Sequence, residues 1–405
     1  MENLKIAWRN LWRNKKRTLI TVASLFFGVI IATLMTSMQE GSYSSMVDNV
    51  VKFYSGYLQV QSDEYWENKT INNTFELTEE LLQKISGTEK ITHVAPRLES
   101  FALASTENES RGTILFGINP EKEEEITGIS KWISSGEMLK SGDGGLLVAS
   151  GLATYLQLEL HDTLVLLGQG YHGVSAAGKY PIRGIVDLPA PDLNRQMVYM
   201  ELGACQEFYS ADNLLTSLIV MVKDPYDLPH ARRSLKKIVR KPYRLMSWDE
   251  MQPELKQMIE ADRAGGTIMK GILYMIIGFG ILGTITMMLA ERRREMGVMV
   301  AIGLQKARLG IILFYETIFI GIVGVISGFL GSIPVISYFI NNPVALTGDA
   351  AGAMIDMGIE PYMYFTWHPS VFYNQMITVF VITFLIGIIP VVTSFRLELS
   401  KALKG

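Results

Sequence analysis

Four long apolar runs stand out from an otherwise mixed chain, at residues 18–38, about 268–290, 309–340 and 371–393. Their charges are Lys270, at the start of the second run, and Glu316, about two turns into the third. At 1.5 Å per residue about 20 residues cross the roughly 30 Å of a bilayer's hydrocarbon core, so each run predicts a membrane-spanning helix. The long segment between the first two runs, residues 39–267, is patterned differently. Its runs GYLQVQ, GTILFGI, DTLVLL, YPIRGIV, QMVYM and SLIVMVK are β-rich and punctuated by Pro, Gly, Asn and Asp, which reads as strands joined by turns. Its two edges repeat with a helical period: Val47, Val51 and Tyr54 at one end, Leu255, Met258, Ile259 and Asp262 at the other. These edges are expected to prolong the first and second membrane helices outward as stalks. Residues 228–239 read as a surface helix with a basic face. The predicted fold is an α-helical membrane protein with four transmembrane helices and a large α+β domain between helices 1 and 2. That segment is long enough for a core of its own. Residues 39–112 and 206–267 are expected to form its stalk and porter-like part, and 113–205 a β-rich insertion.

Charge orients the spans. Ahead of the first lie Lys5, Arg9, Arg13, Lys15, Lys16 and Arg17, and within 1–17 Leu4, Trp8, Leu11 and Trp12 share one helical face. That pattern predicts an amphipathic helix lying in the headgroup region, with Trp at its boundary. The turn 291–308 holds Arg292, Arg293, Arg294, Lys306 and Arg308, and the tail 394–405 holds Arg396, Lys401 and Lys404. The loop 341–370 carries Asp349, Asp356 and Glu360 but no Lys or Arg. By the enrichment of Lys and Arg in cytoplasmic loops, both termini and the Arg-rich turn are expected inside, and the large domain outside. The first run exceeds the roughly 7–15 residues of a signal-peptide core and lacks a small-x-small cleavage site before Gln39, so it is expected to be retained as a helix.

Composition removes several functions. The net charge of −3 says nothing about nucleic acid, which is not expected as a partner, and Cys205, the single cysteine, leaves no internal disulfide to form. No Gly-x-x-x-x-Gly-Lys-Ser/Thr loop occurs, so no ATPase or bound cofactor is expected in this chain. His93, His161, His172, His230 and His368 are scattered, and no metal site is expected. Gly278-x-Gly280-x-x-Gly283 matches a dinucleotide fingerprint by letter only; in mid-span, like Gly324-x-x-x-Gly328, it is expected to serve helix packing. Glu316 is either a functional intramembrane carboxylate or the partner of an arginine from the turn.

The turn and its flanks carry a more specific signal. Glu291, Arg292, Glu295, Gly297, Ala301, Ile302, Gly303, Lys306, Arg308 and Glu316 stand in an order that resembles the signature of FtsX-like permeases. ASGLATYLQLELHDTLVLL, residues 149–167, and YRLMSWDEMQPELKQMIEADR, residues 243–263, are similar to the extracytoplasmic part of MacB and LolC/LolE permeases. The first of these departs from the pattern at His161, where a glycine is usual before the aspartate; a left-handed turn is less comfortable there, though His tolerates it better than most.

The resemblance implies a permease subunit of a mechanotransmission-type ABC exporter in the bacterial inner membrane. Two permease chains, identical or paralogous, would work with two copies of a separate ATPase, which binds ATP and Mg. The turn would insert as a coupling helix, with Arg292, Arg293, Arg294, Glu295, Gly297, Val300, Ala301 and Gly303 as its ATPase contacts. The substrate implied first is a lipoprotein, extracted from the membrane lipids and passed to a periplasmic carrier. Its acyl chains are expected against Met35, Met38, Tyr43, Met269, Ile272 and Met275, whose methionines adapt to varied shapes. Carrier docking is expected on the Gly-rich hairpin 168–180, at Tyr171, His172 and Val174. Two alternatives stand beside it: a MacB-like exporter of peptides, toxins or drugs with an adaptor and outer-membrane channel, and an FtsX-like regulator of an envelope hydrolase. The second normally has a much smaller insertion.

Overall fold

The computed structural model describes residues 2–13, 15–356 and 360–398, so Lys401 and Lys404 lie outside the described residues. It has two compact units: Met1–Tyr43 with Ile259–Ala345 and Tyr362–Gly405, and Ser44–Met258 with Leu346–Pro361.

The first unit is helical. Its elements are α1 (Glu2–Arg13), α2 (Lys15–Val50), α3 (Pro253–Glu291), α4 (Arg293–Ala301), α5 (Lys306–Asn341), α6 (Pro369–Ile386) and α7 (Ile388–Phe395). Four stretches are long and apolar enough to cross a membrane: Thr18–Ser55, Pro253–Glu291, Lys306–Asn341 and Pro369–Phe395. The helices α2 and α3 run 36 and 39 residues, well beyond the roughly 20 that a bilayer needs. Small residues set the packing. A side chain added at Gly324 would meet Leu25 Cβ at 2.5 Å, and one at Gly328 would meet Val29 Cβ at 2.7 Å, so α5 lies directly on α2. Gly278 packs as expected, a side chain added there meeting Ile382 of α6 at 3.6 Å, whereas Gly280 and Gly283 have no packing partner among the described residues of this chain. Nothing lies within 4 Å of a side chain added at Gly280 or Gly283, because α3 turns that face away from the rest of its unit. A polar chain runs through the bundle: Tyr274 donates to Gln375, which donates to Thr36 Oγ1 at 2.9 Å, tying α3, α6 and α2 together.

The second unit is an α+β domain on one ten-stranded sheet. Its strands are β1 (Leu58–Ser62), β2 (Ile91–Ser105), β3 (Ser110–Ile118), β4 (Ile133–Gly136), β5 (Leu146–Ala149), β6 (Thr163–Gln169), β7 (Ser175–Val186), β8 (Met197–Glu201), β9 (Ser217–Val222) and β10 (Tyr243–Ser247). All six predicted strand runs are strands. The pairings β2–β3, β3–β8, β8–β5, β5–β7, β7–β6 and β6–β2 close on themselves, so six strands form a ring. Leu98, Leu115, Leu166 and Val198 share one face of it and are fully buried in the domain's core. Closure leaves that ring no free edge. From the first half of β2 the sheet continues through β9 and β1 to β10. The long β2 was not predicted. Pro96 and Arg97 break its apolar run, yet both sit in register against Leu218 and Ser217.

Candidate functional site

The turn between the second and third membrane helices is built from local backbone chemistry. Helix α4 ends in a Schellman motif: Gly303 is left-handed at φ 109°, its N–H donates to Val300 O, and Leu304 N–H donates to Met299 O. Glycine occupies that position at no steric cost. Ile302, the residue before it, is left at the tip and is 81% exposed.

Its root is held by charge. Arg292 is only 4% exposed, and its Nη1 donates to both carboxylate oxygens of Glu316 on α5, at 2.7 and 2.9 Å. The intramembrane carboxylate thus has an arginine of the turn as its partner. Arg292 is accordingly corrected as an outward electrostatic contact: a buried guanidinium needs a buried counter-charge, and Glu316 supplies it. Gly297 is corrected in the same way, because with Met296 it lies on the buried side of α4. Arg293, Arg294, Glu295, Ala301 and Gly303 are exposed, and Val300 is half-buried. The exposed apolar tip also contains Val298, which together with Ile302 was not singled out in the sequence as a contact. The signal was present in the Ile-Gly pair: a left-handed glycine ending a short helix throws the preceding residue outward.

Neighbouring elements brace the turn. Arg13 of α1 donates to Glu295 at 2.6 Å, and Arg308 donates to Glu2 at 2.9 Å and to Asn3 at 3.0 Å. Lys306 donates to Leu397 O at 2.7 Å, beyond the end of α7. Helix α1 buries Ala7 and Leu11 and leaves Leu4, Trp8 and Trp12 exposed, as an interfacial helix requires.

The residues expected to meet acyl chains separate into two groups. Met269, Ile272 and Met275 are exposed on α3 beside Ile276 and Phe279, while Met35 and Met38 are half-buried on α2. Tyr43 is corrected, because it is buried: it accepts from Gln39 Nε2 at 2.8 Å and donates to Asp262, and Arg263 lies over its ring. With the Arg263–Glu40 pair at 2.7 Å, this cluster locks α2 to α3 and offers no free wall.

In the domain, the expected docking residues lie on the β6–β7 hairpin. Val174 is exposed at its tip, and His172 is exposed with its N–H donating to Asn72 at 2.7 Å. Tyr171 is half-buried, its ring 4.0 Å from that of His172. The sheet beside the hairpin exposes Phe101, Leu103 and Leu167, with Leu103 and Leu167 directly opposite each other. Isolated apolar side chains are ordinary on a surface, but a contiguous set marks a contact area. His161 takes up the left-handed turn, at φ 73°.

Sequence reading missed a buried charge cluster at the start of the domain. Arg97 donates to both oxygens of Glu123 at 2.6 and 3.0 Å, and to the carbonyls of Tyr54 at 2.6 Å and Lys52 at 3.4 Å. It therefore caps the wide helical turn Val51–Ser55 that follows α2. Glu99 accepts from Tyr54 at 3.1 Å, and burial pushes its carboxyl above the usual range. Burial likewise pushes the Cys205 thiol up, and it is free and buried. Among the described residues no cluster of ligands suits a metal ion.

Comparison with known proteins agrees with this architecture. The sequence model of the MacB-like periplasmic core domain matches residues 18–238, and that of the FtsX-like permease C-terminal region matches 267–399. The chain belongs to the FtsX-like permeases that carry a MacB-like core, a multi-pass class of ABC transporter permease. Its curated relatives include the lipoprotein-releasing system transmembrane protein LolC of Xylella fastidiosa, 20% identical over 60% of each chain. LolC of Neisseria meningitidis serogroup B is 21% identical over 80% of each. The chain thus spans 60% of the length of the first and 80% of the second. Among solved structures it is similar to the extracellular domain of YknZ from Gram-positive bacteria (TM-score 0.33, 14% identity, 47% of this chain and 99% of that one). It is also similar to the periplasmic region of MacB from Actinobacillus actinomycetemcomitans (TM-score 0.35, 13% identity, 52% and 98%).

Proposed function

We propose that this chain is the permease subunit of a mechanotransmission ABC transporter in a bacterial inner membrane, extracting lipoproteins and handing them to a periplasmic carrier. The observation that carries the first half is the tip of α4. A large aliphatic side chain at 81% exposure, on a rigidly capped helix rooted by a buried ion pair, suits insertion into a partner protein. That partner is a separate ATPase, two copies serving two permease chains. The open face of α3, with Ile276, Phe279, Gly280 and Gly283, suits the second permease. Force would pass from α4 along α3 and α2 to the outer domain. The relatedness to LolC supports a lipoprotein as cargo, with Met38, Met269, Ile272 and Met275 as apolar walls. Leaving acyl chains in water would cost roughly 0.8 kcal/mol per CH₂. The β6–β7 hairpin and the Phe101–Leu103–Leu167 face would receive the carrier.

The MacB-like core favours a second reading, an exporter of peptides, toxins or drugs that works with an adaptor and outer-membrane channel. Photo-crosslinking in native membranes separates the two. Crosslinkers at Met38 or Ile272 should capture lipidated protein, one at Val174 a soluble carrier, and one at Ile302 an ABC ATPase. An adaptor captured at the outer domain, with no lipidated adduct at Met38 or Ile272, would replace the lipoprotein reading by the exporter.

A further inference from the structure

A cavity of about 560 Å³ opens between α1, α4 and α5, on the α1 side of the turn. Its lining is mostly apolar, with Ile6, Val298, Leu309 and Ile312 among the contributors, but three guanidinium groups share it: Arg13, Arg292 and Arg294. The carboxylate of Glu295 stands among them. One of its oxygens accepts from Arg13 at 2.6 Å and lies 3.5 Å from Arg292 Nε. That Nε is buried and has no hydrogen-bond acceptor among the described residues, since the Arg292–Glu316 pair uses Nη1. An anionic oxygen is therefore held between two arginines, and it satisfies only one of them. Arg13 and Glu295 are both more than half exposed, so their bridge is worth little and is easily displaced.

We propose that this cavity binds the headgroup of an anionic phospholipid. The two free oxygens of a phosphodiester replace the Glu295 carboxylate, one bonded to Arg13 and one within reach of Arg292 Nε, while Arg294 adds a further cation. Guanidinium groups recognise phosphate with paired, charge-assisted bonds. A lipid fits better than a free phosphate for two reasons. The apolar lining continues along α5, a membrane-spanning helix, and α1 presents Trp8 and Trp12 on its exposed surface, where headgroups lie. Occupancy displaces Glu295 from Arg13, and with it the ion pair between α1 and α4, so the lipid sets how firmly the turn is braced. The inference rests on the membrane fold alone and holds whatever the cargo is.

Native mass spectrometry of the full-length chain in detergent tests it, with short-chain phosphatidylglycerol, phosphatidylcholine and inorganic phosphate as probes. One phosphatidylglycerol should be retained in preference to phosphatidylcholine. Arg13→Gln and Arg294→Gln should each weaken that retention severalfold, and Glu295→Gln should strengthen it by removing the competing carboxylate. That gain separates a lipid site from a merely structural bridge, whose loss would leave retention unchanged. Equal retention of the two lipids, wild-type retention in both arginine variants, or displacement of phosphatidylglycerol by equimolar inorganic phosphate would overturn the proposal.

Discussion

At the scale of single residues, two buried carboxylates follow opposite rules. Glu316 is matched by Arg292, whose Nη1 donates to both its oxygens, and removing one member of such a pair strands the other. Glu316→Ala should therefore cost about 3–5 kcal/mol, read as a lowered thermal midpoint in detergent. The double variant Arg292→Met with Glu316→Leu should recover most of that loss, because no charge is left behind. A double variant as unstable as the single would show that the site needs its shape more than its charges. Glu99 has no such full partner. Burial raises its carboxyl, and Lys69, Tyr54 and Arg97 offset the rise only in part. The folded chain then keeps this proton to higher pH than the unfolded chain does. Stability linked to it is complete below the ordinary glutamate range and falls as pH rises through that range toward the raised folded value. Glu99→Gln should flatten this fall and raise the midpoint at neutral pH, measured by melting curves from mildly acidic to neutral buffer. A steeper pH dependence in the variant would contradict the assignment.

At the scale of elements, the turn works as a unit because its end, root and sides are fixed by different forces. The end is backbone geometry at Gly303, the root is the Arg292–Glu316 pair, and the sides are bonds from α1 and from Lys306. Placing a β-branched side chain in the left-handed region costs about 1–2 kcal/mol, so Gly303→Val should deform the cap and misplace Ile302. Asn enters that region more readily, and Gly303→Asn should be milder. Copurification of the ATPase with each variant measures the difference, and membrane insertion should be the same in both. Equal loss of the ATPase from both would remove the left-handed turn from the explanation. Sequence periodicity found α4's surroundings but not its orientation. The heptapeptide Arg292–Val298 contains charges and apolar residues on every side, and only packing against α5 decides that Arg292 and Gly297 turn inward.

At the scale of the whole molecule, the charge pattern makes a topological prediction. A reporter joined after Leu304 should be active only on the cytoplasmic side, and one between Asp143 and Gly144 only on the opposite side. Accessibility of Leu304 from outside would refute the orientation. The apolar runs by themselves determined four helices long and apolar enough to cross a membrane, since an uninterrupted apolar run of that length satisfies its backbone within hydrocarbon as a helix. Alternation and turn residues likewise determined an α+β domain between the first two helices. Local order is enough for such features, because each depends on residues adjacent in the chain. The closed ring of strands was beyond that reach, for β2 closes it against residues as far along the chain as Gly168, continues the sheet against Val222, and Arg97 is paired with Glu123. Tertiary structure alone decided which expected contact residues stay free. It took Tyr43 into a lock with Asp262, Arg292 into a pair with Glu316, and left Ile302 and the Phe101–Leu103–Leu167 face uncovered. The physical reason is the same throughout: a side chain's identity gives its chemistry, while its exposure depends on what distant segments bring against it.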